Sequence, residues 1–85
     1  MKVYILINTE AGKIWEIAET ALEIEFVDMA HAVTGQFDVI IYAELADISD
    51  LGELIDRLHS IEGVQKTQTA VVMPTRVVME DSLTE

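Results

Sequence analysis

Asp38-Val39-Ile40-Ile41-Tyr42-Ala43-Glu44-Leu45-Ala46 (residues 38–46) is the most β-prone stretch of the chain, rich in β-branched and aromatic residues and free of Gly and Pro. Val39, Ile41 and Ala43 are apolar at one parity and Ile40 and Tyr42 at the other. An antiparallel strand with one wet face should instead alternate with polar residues. The opening segment, Lys2 to Asn8, repeats the pattern with Val3, Ile5 and Ile7 at one parity and Tyr4 and Leu6 at the other. Both segments read as strands covered on both faces.

Working outward, Thr34-Gly35-Gln36-Phe37 separates residues 38–46 from an earlier strand, Phe26 to Val33, so the two form a hairpin-like pair. Thr9-Glu10-Ala11-Gly12 is a turn that starts a helix carrying Ile14, Ile17, Ala18, Ala21 and Leu22 on one stripe, which Trp15 widens. Ser49 or Asp50 is expected to cap a second helix with Leu51, Leu54, Ile55, Leu58 and Ile61 on one side and Gly63 as its stop. Val64 to Met73 is the last strand, ended by Pro74. Strand, helix, strand, strand, helix, strand is two split βαβ units, and it predicts an α+β, ferredoxin-like βαββαβ sandwich. Right-handed crossovers place both helices on one face of a four-stranded antiparallel sheet. The bare face is apolar, and its simplest cover is the same face of a second chain, giving a homodimer in a dimeric α+β barrel arrangement. Residues 1–74 are read as this domain. Residues 75–85 are read as an acidic C-terminal tail with an apolar patch at Val77-Val78-Met79.

At 85 residues the chain is near the lower limit for a single core unaided by disulfides, metal or self-association, and it has no Cys. Self-association is therefore the expected aid. Sixteen acidic against five basic residues give a net charge of -11, which would repel a phosphate backbone. Direct nucleic-acid binding is not expected. Asn8, Thr9 and Glu10 stop the first apolar run before it could serve as a signal segment or a membrane span, so a soluble, cytoplasmic protein is expected.

Few residues suggest chemistry. His31 and His59 are the only histidines, and no His-x-x-x-His or Glu-x-x-His spacing appears. His31 shares strand parity with Val27, Met29 and Val33 and reads as a residue of the sheet interior or dimer seam, and His59 as a surface residue. The four glycines form no dinucleotide fingerprint or P-loop, and Ser49, Ser60 and Ser82 lie in no nucleophile-elbow context. No catalytic residue, metal ligand or cofactor is assigned. Asp28, Asp38 and Glu44 are capable of meeting across strands as an acid–base pair, although edge or solvated charges are the plainer reading. Gly35-Gln36-Phe37-Asp38 suits a small zwitterion, with loop N–H groups for an α-carboxylate and Asp38 for an α-ammonium. The alternative is an ordinary turn that Asp38 holds in shape. Thr67 and Thr69 set two hydroxyls on one face of the last strand, to bond a polar ligand or simply to favour β structure.

Three segments in this order, Tyr4-Ile5-Leu6-Ile7-Asn8-Thr9-Glu10-x-Gly12-Lys13, Val33-Thr34-Gly35-Gln36-Phe37-Asp38 and Gly63-Val64-Gln65-Lys66-Thr67-Gln68-Thr69, resemble the effector-binding (RAM) domain of the Lrp/AsnC, or feast/famine, transcription regulators. The resemblance implies dimerisation through the sheets, rings of eight or ten chains, and amino-acid effectors held between dimers. It implies ligand contacts at Gly35, Gln36, Phe37 and Asp38 and at Thr67 and Thr69. Full-length members carry a helix-turn-helix domain upstream, whereas this chain starts at the sensor's first strand, so a stand-alone sensor is expected. It would regulate through ligand-dependent assembly, with full-length Lrp/AsnC regulators as possible partners. The alternatives are a small dimeric α+β barrel enzyme, which needs a polar residue such as His31 between sheet and helices, and a purely structural oligomer.

Overall fold

The computed structural model describes residues 1–74, and the tail with its 77–79 patch lies outside the described residues. The elements are β1 (Lys2–Thr9), α1 (Ile14–Ala21), β2 (Val27–Ala32), β3 (Val39–Glu44), α2 (Ile48–His59) and β4 (Val64–Val71). The fold is βαββαβ, with a four-stranded sheet in the order β2-β3-β1-β4 and every neighbouring pair antiparallel.

The two parities of the central strands separate as the sequence requires. Val3, Ile5 and Ile7 of β1 and Val39, Ile41 and Ala43 of β3 are buried, and they form one core with Ile17, Ala18 and Ala21 of α1 and Leu54 and Leu58 of α2. Leu51, Ile55 and Ile61 pack around its rim. The opposite parity carries Tyr4 and Leu6 on β1 and Ile40 and Tyr42 on β3, on the face the helices leave open, with Tyr4 paired to Tyr42 and Leu6 to Ile40. Met29 and His31 of β2 join this open face, paired to Tyr42 and Ile40.

Several local expectations are corrected. A bulge between Val27 and Met29 reverses strand parity, so Val27 pairs with Ala43 and is buried on the helix side while His31 stays exposed on the other. His31 therefore does not share a face with Val27. Trp15 does not widen the buried stripe of α1 and is 71% exposed. Asp47, rather than Ser49 or Asp50, occupies the N-cap of α2; its side chain makes no capping bond and accepts a hydrogen bond from Ser49 Oγ at 3.2 Å. Ser60, rather than Gly63, caps the helix C-terminus, its Oγ donating to Arg57 O at 2.6 Å. Gly63 lies in the following turn, at φ 99°, where its carbonyl accepts from Glu10 N. No helix of the described residues is long and apolar enough to cross a membrane.

Candidate functional site

The β2–β3 connection is fixed at both ends and open in the middle. Val33 N donates to Asp38 O, and Asp38 N donates to Ile7 O, each at 2.9 Å, so the sheet ladder runs up to the loop and stops there. Between these anchors the backbone N–H groups of Thr34, Gly35, Gln36 and Phe37 have no hydrogen-bond acceptor among the described residues. Gly35 has φ 110°, a conformation that side-chain-bearing residues rarely adopt, and the space beside it is empty. β1 holds the loop from below. Asn8 Nδ2 donates to Gln36 O at 2.7 Å, and Thr9 N donates to Asp38 Oδ2 at 2.8 Å.

Asp38 thus has the loop-holding contact that the plainer sequence reading proposed for it. Only one of its oxygens is engaged. Oδ2 takes the Thr9 N–H and lies 3.4 Å from Thr9 Oγ1, whereas Oδ1 has no partner among the described residues. The carboxylate is half-exposed, so that oxygen can take a second, charged donor while the first keeps its place.

Thr67 and Thr69 pair with Ile7 and Ile5, both fully buried, so their side chains lie on the helix side of the edge strand β4. Thr67 Oγ1 makes a 3.0 Å hydrogen bond with His59 Nε2 at the end of α2. His59 is exposed, as expected of a surface residue, and its bond to Thr67 is not legible in the sequence, because only the tight turn between helix and strand brings positions 59 and 67 together. The threonines and the β2–β3 loop do not converge within one protomer. β1 lies between β3 and β4, so Thr67 is two strand spacings, roughly 10 Å, from the start of β3.

Asp38 and Glu44 do not meet. Glu44 accepts from Tyr42 Oη at 2.9 Å at the end of β3, six residues from Asp38 and so about 20 Å along an extended strand. The acid–base pairing of Asp38 with Glu44 is therefore not formed. Among the described residues no group of His, Asp and Glu is arranged to hold a metal ion.

Comparison with known proteins gives this geometry a family. The family model described as the Lrp/AsnC ligand binding domain matches residues 2–82. The HTH-type transcriptional regulator FL11 of Pyrococcus abyssi is 31% identical over 75 residues, which cover 88% of this chain and 50% of that protein. The chain spans about half the length of the curated relatives it matches. Among solved structures, the hypothetical protein PHS023 of Pyrococcus horikoshii superposes with a TM-score of 0.79 at 28% identity, covering 89% of this chain and 93% of that one. AsnC of Escherichia coli superposes with a TM-score of 0.75 at 25% identity, covering 88% of this chain and 52% of that one. With a matching family model over nearly its whole length and the corresponding fold, the chain belongs to the Lrp/AsnC ligand-binding domain family.

Proposed function

We propose that this domain senses a free amino acid, bound at Gly35, Gln36, Phe37 and Asp38 of one subunit and at Thr67 and Thr69 of a neighbour. The observation that carries the reading is the run of four backbone N–H groups without an acceptor among the described residues, ending at a carboxylate with one oxygen that has no partner among them. Four N–H groups suit an α-carboxylate, and Asp38 Oδ1 suits an α-ammonium. Because the threonines lie across β1 from the loop, a second subunit must supply them if they join the same site. The assembly is a homodimer through the open sheet faces, extended to rings of eight or ten chains. Binding would shift the assembly equilibrium, alone or mixed with full-length Lrp/AsnC regulators, and so modulate transcription. Residues 1–74 are the sensing unit in this reading. The enzyme alternative loses its candidate residue, since His31 is exposed on the sheet's open face and not between sheet and helices.

Calorimetric titration of the twenty amino acids tests the site. Asp38→Asn keeps an oxygen for the Thr9 N–H and removes the charge. A charge-assisted hydrogen bond is worth roughly 1.5–3 kcal/mol, so affinity should fall about tenfold to hundredfold with the fold intact. Absence of any amino-acid binding by the unaltered protein would sink the reading. Equal affinity in the variant would remove Asp38 from it.

A further inference from the structure

Immediately beside the β2–β3 loop, the start of α1 and the end of β2 enclose a surface hollow of about 680 Å³, lined by Ile14, Trp15, Ala32, Val33 and Thr34. Its volume lies within the roughly 300–1,000 Å³ typical of small-molecule sites. Its walls are mainly apolar, and its last lining residue, Thr34, is also the first of the four residues with unpaired N–H groups. Trp15 is the chain's only tryptophan and is 71% exposed, although Ile17, Ala18 and Ala21 of the same helix are buried. A large amphipathic ring left in water beside an apolar hollow is an unused contact surface.

We infer that this hollow receives the side chain of the effector and restricts it to amino acids with apolar side chains. The inference rests on the proposed binding of the α-carboxylate and α-ammonium at residues 34–38. With the head group on the loop N–H groups, a side chain directed toward Thr34 leaves the polar mouth and meets Val33, Ala32, Ile14 and the face of Trp15. The occupant is a small molecule because the hollow reaches Thr34, whose backbone N–H has no acceptor among the described residues and would be left unpaired by an apolar protein surface. Charge points the same way. A chain of net charge -11 repels an acidic side chain while leaving a neutral zwitterion unopposed, and none of the five lining residues is charged to pair with a basic one.

The single tryptophan makes the test direct. Leucine, isoleucine, methionine and phenylalanine should shift Trp15 emission to the blue with saturation, and aspartate, glutamate, lysine and glycine should not at the same concentrations. Trp15→Ala, at an exposed position, should keep the fold by circular dichroism. It should weaken apolar amino acids by roughly tenfold in calorimetry, as loss of one apolar wall implies, and leave glycine almost unaffected. If amino acids bind without apolar preference, and Trp15→Ala binds them equally well, the hollow is not the side-chain site while the loop site stands. If no amino acid binds, the loop site fails and takes the inference with it. A blue shift that follows protein concentration with no amino acid present would assign the hollow to a second copy of the chain and overturn the proposal.

Discussion

Tyr42 is where the open sheet face meets the chain's acidity. Desolvation on that face, the hydrogen bond to Glu44 and the negative charges of Glu44, Tyr4 and Asp28 push its phenol up to about 12 from an ordinary 10.0. The folded chain therefore holds this proton more tightly than the unfolded chain does. The associated stabilisation is complete below pH 10 and is lost as the pH rises through about 12. Ultraviolet titration of a Tyr4→Phe background should show a single late ionisation that moves down in Glu44→Gln, since that change removes both the charge and the acceptor carboxylate. A late ionisation unmoved by Glu44→Gln would leave desolvation and the charge of Asp28 as the causes. Tyr4 and Tyr42 pack with ring centroids 5.0 Å apart, so any surface that covers the open face meets an aromatic pair.

Two glycines make opposite demands on the elements around them. A Cβ on Gly63 would sit 3.1 Å from Ile17 Cδ1 and from Cβ and Cγ of Lys13, at φ 99°, so the turn from α2 into β4 requires glycine for both conformation and space. Gly63→Ala should destabilise the fold by about 1–3 kcal/mol. Gly52, inside α2, has open space around the added methyl, and Gly52→Ala should stabilise by about 0.5–1 kcal/mol through the lost backbone freedom of the unfolded chain. Urea unfolding of both variants checks the pair, and equal effects of the same sign would contradict it. The element types and their order were legible because period-2 and helical apolar patterns differ. The β2 bulge was not legible. Asp28 looks like an ordinary strand residue, and only the register of β2 against β3, in which Asp28 has no partner, shows that Val27 and His31 fall on opposite faces. The exposure of Trp15 was hidden for a similar reason, since apolar periodicity marks the face a helix can bury and cannot say how wide the partner surface is.

At the scale of the molecule, the open face decides the assembly. Leu6, Met29, Ile40 and the two tyrosines form an apolar patch on it, flanked by Lys66 and Gln68 of β4. Leaving such a patch in water costs on the order of 25 cal/mol per Å², so a species no smaller than a dimer is expected by light scattering at micromolar concentration. Ile40→Lys, half-buried in the single chain and central to the patch, should shift the population toward monomer without unfolding it. A monodisperse monomer of the unaltered protein would rule out sheet-to-sheet packing.

The sequence alone determined the strand and helix order, the apolar parity shared by Val3, Ile5 and Ile7 and that shared by Val39 and Ile41 within their own strands, and the surplus of apolar side chains for a second sheet face. Each follows from local periodicity, which a chain carries without reference to its fold. It also marked Gly35 to Asp38 as a candidate segment, with an ordinary turn held by Asp38 as the plainer reading of the residues alone. Tertiary structure alone decided which donors on that loop stay unpaired, that Thr9 occupies one oxygen of Asp38 and leaves the other, that His59 reaches Thr67, and that the loop and the threonines are separated by β1. These are contacts between residues distant in sequence, set by sheet register and strand order, and neither quantity is written in the pattern of any one segment.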